Sequence, residues 1–119
     1  MKGIETYQEN SITTQSQGRI VVMLYEGAIK FLKYAIFEMQ AGNQETKSKY
    51  LNKVEDIINE LNTVLDMETG GEIANNLRAL YTFMIRNIHD GNIQRNPAKL
   101  EEVIKLLEEL NQSWKAIAN

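Results

Sequence analysis

His89 is the only histidine, and imidazole is the usual carrier of protons near neutral pH. With no second histidine, no pair can share a metal or relay a proton. A carboxylate di-iron bundle needs glutamate three residues before its histidine, and Arg86 stands there. The dipole at a helix C-terminus explains His89 well enough. Glu101-Glu102 and Glu108-Glu109 are spaced against Lys99 and Lys105 as on a solvated, charge-laced helix face. Acid–base catalysis would want such carboxylates buried in opposed environments. Gly70-Gly71 lacks the strand and the Gly-Lys-Ser/Thr of a phosphate loop, so it reads as a turn that opens a helix. Cysteine is absent, which removes thiolate metal sites, cysteine nucleophiles and disulfides. The expectation is a protein that binds another protein, with no catalytic residue, cofactor or metal.

The composition narrows the partners. A length of 119 residues suits one domain. Hydrophobic residues at 43% and charged residues at 24% argue against wholesale disorder. The net charge is −3, with acids and bases interleaved, so no basic face offers itself to nucleic acid. Met1 to Gln17 is polar and holds no secretory signal. No run approaches the ~20 apolar residues of a membrane span, so no direct membrane insertion is expected. A cysteine-free chain fits a reducing cytoplasm.

Four segments carry a period near 3.6. The first runs from about Gln17 to Ala41, with Ser16 as N-cap and Gly42-Asn43 as stop. The second runs from Gln44 to Leu65. The third opens at a capping-box pair, Thr69 and Glu72, and ends at His89 or Asp90 before Gly91. The fourth opens with Asn96-Pro97 and runs to about Ile117. Helices of ~20 residues span ~30 Å each. Matched lengths and short connections predict an all-α, antiparallel up-down four-helix bundle over residues 16–119. Residues 1–15 precede it as a short, flexible cap segment, in which Ile4 and Tyr7 stand three apart and share one side of a helical turn.

The first helix carries more apolar surface than a bundle can hide. The second, third and fourth place their apolar residues in arcs of roughly 140–160°, ordinary core faces. The first holds Ile20, Val21, Val22, Met23, Leu24, Tyr25, Ile29, Phe31, Leu32, Tyr34, Ile36, Phe37 and Met39, which occupy well over half the circumference. Its polar sector is narrow and held by Arg19, Glu26, Lys30 and Lys33. Three neighbours cannot cover so much of a fourth helix. The excess either faces solvent or is covered, by the N-terminal segment through Ile4 and Tyr7 or by another protein; the alternative is a first helix that sits centrally and is simply well buried. Trp114 lies on the apolar face of the fourth helix and is expected in the core.

These residues resemble the flagellin export chaperone family FliS, over nearly the whole chain. The strongest pieces are Met23-Leu24-Tyr25-Glu26-Gly27-Ala28, Leu65-Asp66-Met67-Glu68 and Gly70-Gly71-Glu72-Ile73-Ala74. Asn76-Leu77, Leu80-Tyr81, Met84-Ile85-Arg86, Leu100-Glu101-Glu102-Val103, Leu106-Leu107 and Trp114-Lys115 extend them, and Gly3-Ile4-x-x-Tyr7 looks like the family's opening motif. Three departures stand out. Gln17 replaces the proline usual after the serine at Ser16, and Glu26 replaces an aspartate; neither should disturb the fold. His89-Asp90-Gly91 occupies a stretch that tends to be apolar, which puts the end of the third helix in question.

The resemblance implies an export chaperone in the bacterial cytosol. Such a protein would bind the disordered C-terminal segment of flagellin, block premature polymerisation, and deliver it to the cytoplasmic domain of the flagellar type III export gate. Residues near the apolar margins are the expected flagellin groove: Leu24, Tyr25, Ile29, Ile57, Leu61, Leu65, Leu77 and Tyr81. The resemblance makes Ile4 and Tyr7 a lid over that groove and a docking element for the gate once cargo displaces them. An alternative is a regulatory adaptor that senses flagellin supply through competing protein partners. Without cargo the chain would be a monomer or a weak homodimer.

Overall fold

Apolar residues returning every three or four positions wind four segments into helices. In the computed structural model these are α1 (Lys2–Gln40), α2 (Gln44–Glu68), α3 (Glu72–Gln94) and α4 (Pro97–Ala118). The backbone of residues 2–68 and 71–118 and the side chains of residues 18–65 and 71–117 are described. α1 packs closely along α2 and α4, and α3 closes the ring between them less tightly. Among the described residues, the backbones of the diagonal pairs, α1 with α3 and α2 with α4, do not come close. The all-α antiparallel four-helix bundle is therefore as expected. Among the same residues, no helix is long and apolar enough to cross a membrane.

The turns follow local chemistry. α1 stops where Gly42 takes a left-handed φ of +83°, a conformation glycine adopts without steric cost. Asn43 N–H then donates to Glu38 O at 2.9 Å and Gly42 N–H to Met39 O at 3.2 Å, which satisfies the last carbonyls. Asn96 caps α4 as its sequence suggested: Ala98 N–H donates to Asn96 Oδ1 at 3.1 Å, with Pro97 opening the helix.

Four helix ends differ from expectation. α1 begins at Lys2, so Ser16 stands inside it and caps nothing. Gln17 is the physical reason: a proline there would have cost an interior helix about 3 kcal/mol, and glutamine lets the helix run through. α2 continues past Leu65 to Glu68. α3 opens after Gly71, with no side-chain cap; Thr69 of the expected capping box lies outside the described residues.

α3 also runs past Gly91 to Gln94, so His89 is not in its last turn. The left-handed residue that ends it is Arg95, at φ 53° and ψ 45°, and Asn96 N–H donates back to Gly91 O at 2.9 Å. Gly91 is a point of close approach, not a stop. A Cβ built there meets Leu100 Cδ2 and Lys99 Cβ at 3.2 Å and Asn96 O at 3.3 Å. Alanine would gain about 1 kcal/mol of helix propensity. Overpacking costs about 1–3 kcal/mol. The Leu100 methyl can swing aside, but Lys99 Cβ and Asn96 O belong to the turn itself. Gly91→Ala is therefore expected to lower stability by about 1 kcal/mol net, read as an earlier urea midpoint. A midpoint at or above that of the parent would show that the turn yields freely.

The core runs through all four helices. It includes Leu32 on α1, Val54 and Ile58 on α2, Met84 and Ile88 on α3, and Leu100, Val103 and Leu107 on α4. Ala28 and Ala35 are fully buried on α1, and such small side chains let neighbouring helices come close. At the end of the bundle that holds both short turns, Lys47 is buried and its ammonium donates to Gln44 Oε1. Burial, with the nearby Arg95 charge, lowers its pKa below the usual lysine value.

Candidate protein-binding surface

α1 carries two seams with alternating steps of three and four residues, the spacing that keeps side chains on one helix face. One seam, Val21, Tyr25, Ala28, Leu32, Ala35 and Met39, is buried. The other comprises Ile20, Met23, Gly27, Lys30, Tyr34 and Phe37 and lies on the opposite side, with Gly27 turned toward Ile57 of α2. Met23 is 69% exposed, Phe37 68%, Ile20 47% and Tyr34 45%. The excess of apolar surface inferred from the sequence is thus an open face. Gly27 and Lys30 interrupt this outer seam and divide it into two apolar islands.

The first island lies toward the end where α2 leads into α3. It consists of Ile20 and Met23; near the same end, on the separate helices α3 and α4, Ile73 and Ile117 are exposed by 77% and 74%. Half-buried Leu77, Leu80, Leu106, Leu110 and Trp114, with exposed Phe83, line the seam between α3 and α4. Asn87 sets the register of that seam: its Nδ2 donates to Lys99 O at 3.0 Å and to Glu102 Oε2 at 3.1 Å. In this register Phe83 lies level with Leu106, and Leu77 with Leu110. His89 holds the other side of α3, with Nε2 3.1 Å from Glu55 Oε2 on α2. A tie between two helices thus accounts for the histidine, in place of the helix-end dipole first invoked.

The expected groove residues divide into two groups. Leu24, Ile29, Ile57 and Leu77 are half-buried at the edges of the core. Tyr25, Leu61, Leu65 and Tyr81 are buried within it. Tyr25 and Tyr81 form the polar centre of the bundle, their hydroxyls 2.6 Å apart and their rings edge to face at 6.4 Å. The Trp114 ring packs 6.3 Å from Tyr25. Burial pushes both phenols above their ordinary pKa; hydrogen bonds from Tyr81 and Trp114 offset part of this for Tyr25. Ile4 and Tyr7 fall within α1, and their side chains lie outside the described residues.

Sequence reasoning missed Ile20, Met23, Ile73 and Ile117 as surface residues. The signal for the first two was present: a second three-and-four spacing on α1, out of phase with the first by about half a turn. Ile73 and Ile117 carried no such mark, because each sits in phase with its helix's core stripe. Each lies near an end of its own helix.

The comparisons with known proteins agree with one another. The family model described as flagellar protein FliS matches residues 1–119. The chain is similar to proteins named flagellar secretion chaperone FliS. The one from Vibrio cholerae is 38% identical, the match covering 98% of this chain and 90% of that protein. The one from Salmonella typhimurium is 36% identical, with the same coverage of 98% and 90%. The one from Bacillus subtilis is 32% identical over 92% of this chain and 80% of its own length.

Proposed function

This chain belongs to the FliS family of flagellar proteins, and on that premise we propose that it is a cytosolic export chaperone for flagellin. It binds the disordered C-terminal segment of flagellin, keeps that segment from polymerising, and hands it to the flagellar export gate. The observation that carries this reading is the apolar surface left open toward one end of the bundle, at Ile20 and Met23 on α1 and at Ile73 and Ile117 on α3 and α4. Soluble proteins seldom leave such a patch open unless a partner covers it. Grooves flanked by half-buried leucines suit an amphipathic segment that folds as it binds.

The leading residues act as the lid. For Ile4 and Tyr7 to cover this end of the bundle, the chain must leave its helical path near Gly18. Glycine there weakens the helix by roughly 0.5–1 kcal/mol. A lid anchored by two side chains is held by a few kcal/mol at most, so a client with many apolar anchors displaces it.

Calorimetry with a peptide covering the C-terminal segment of a flagellin tests the reading. A tight one-to-one complex with a negative heat-capacity change is expected. No heat and no ordering of the peptide at micromolar concentration would count decisively against it. Ile4→Ala combined with Tyr7→Ala should leave the fold intact and client binding equal or tighter, while weakening docking to the export gate. Global unfolding of that variant would mean the segment is a structural staple.

A further inference from the structure

The second island on α1 has a different character. Phe31 and Tyr34 meet Tyr50 of α2 at the end that holds the α1–α2 turn, and Phe37 lines the same hollow. Phe31 and Tyr50 stack at 5.8 Å, Tyr34 meets Tyr50 edge to face at 5.3 Å, and Phe31 meets Tyr34 at 6.3 Å. Beside them is an open hollow of about 430 Å³, lined by Lys33, Tyr34, Phe37, Glu38 and Tyr50. That volume falls within the ~300–1,000 Å³ range of ligand pockets.

The rim is basic. Lys30 and Lys53 place their ammonium groups 5.0 and 5.2 Å from the centre of the Phe31 ring. Lys33 and Lys49 are exposed nearby, Lys49 one residue before Tyr50 and one turn before Lys53. The single acid in the lining, Glu38, already accepts a hydrogen bond from Asn43 Nδ2 at 2.7 Å. Four lysines thus flank the aromatic cluster in a chain whose net charge is −3, with Glu26 and Glu108 beside Lys30 and Lys33 on the side toward α4. The island is also separate: Lys30 and Phe31 begin about 11–12 Å along α1 from Met23, and Phe37 lies about 21 Å from it.

We propose that this aromatic cradle docks an amphipathic helix of a second partner protein, one that presents a large apolar anchor flanked by carboxylates. The anchor enters the hollow against Tyr34 and Phe37. The carboxylates meet Lys30, Lys33, Lys49 and Lys53, which disfavours a basic helix of the same apolar pattern. Charge complementarity of this kind sets partner choice and association rate. Because the cradle is separated from the first island, it can be occupied while that end of the bundle is engaged.

The test uses two fluorescein-labelled helical peptides of about 16 residues, long enough to hold a helix. They share one leucine and phenylalanine face; one is flanked by glutamates and its twin by lysines. Anisotropy with the full chain should show saturable binding of the glutamate peptide, weakened by raised salt. The lysine twin should bind at least about tenfold more weakly. Phe37→Ala, and separately Lys33→Glu with Lys53→Glu, should each weaken the glutamate peptide at least about tenfold. These side chains are exposed, so unchanged thermal unfolding confirms that the variants fold. A saturating flagellin C-terminal peptide should leave the binding in place. Equal affinity for both peptides, or no effect of the variants, would overturn the proposal. Displacement by the flagellin peptide would make the cradle part of the client site, and self-association lost with Phe37→Ala would assign it to a second copy; either result overturns it.

Discussion

Tyr25→Phe is expected to destabilise the protein by about 1–3 kcal/mol, and Tyr81→Phe added to it should recover most of that loss. The two hydroxyls are buried and serve each other at 2.6 Å. Removing the Tyr25 hydroxyl strands that of Tyr81 away from water, at the full desolvation cost of a polar group, whereas removing that of Tyr81 leaves Tyr25 its hydrogen bond with Trp114. Removing both leaves two well-packed rings of nearly the same shape. A double-mutant cycle by urea unfolding gives the coupling directly. Additive losses would show that the pair is not the partnership its geometry describes.

The same pair makes stability depend on alkaline pH. Both phenols are raised above their ordinary pKa, first by burial, so the native state keeps protons that the unfolded chain releases near pH ~10. Their contribution is intact below that pH and is lost as pH climbs through the folded values. The doubly substituted phenylalanine protein should lack this decline. Lys47, lowered by burial, acts below the ordinary lysine range with the opposite sign. It is common to both proteins and drops out of the comparison. Parallel urea midpoints from pH 8 to pH ~11 would remove the tyrosine pair as the cause.

Ile20→Glu combined with Met23→Glu should weaken flagellin binding by about a hundredfold or more. An interface centred on these side chains would have to bury two carboxylates without partners, a cost of several kcal/mol. Both side chains are largely exposed in the free protein, so stability should change by no more than about 0.5 kcal/mol. Titration calorimetry with the C-terminal flagellin peptide reads the first effect and thermal unfolding the second. Unchanged affinity would move the client site away from this end of the bundle.

Much of the fold was readable before any coordinates. The Gly42-Asn43 stop, the Asn96-Pro97 start and the 3.6 period are local signals, and local chemistry decides them. What misled was also local. Gly91 reads as a stop, yet its worth lies in the approach of Lys99 and Leu100, which no neighbour in sequence announces. Ser16 reads as a cap, but nothing after it breaks the helix. The candidate surface was half legible. The apolar excess on α1 could be counted from the sequence, but its division between the inner and outer seams depends on where α2 and α4 lie. Tyr25 and Tyr81 looked like groove residues because an aromatic hydroxyl wants an outlet, and each found it in the other.

The ring of helices follows the order of the chain. α1 meets α2, α2 meets α3, and α3 meets α4; only the packing of α4 onto α1 joins distant parts of the sequence. Three of the four seams can therefore zip up across adjacent segments, two of them over very short turns. The entropic barrier falls on the last seam alone. Refolding should be rapid, on the order of milliseconds or less. Changes at the α1–α4 seam, near Ile29 and Asn111, should slow it more than equal changes elsewhere.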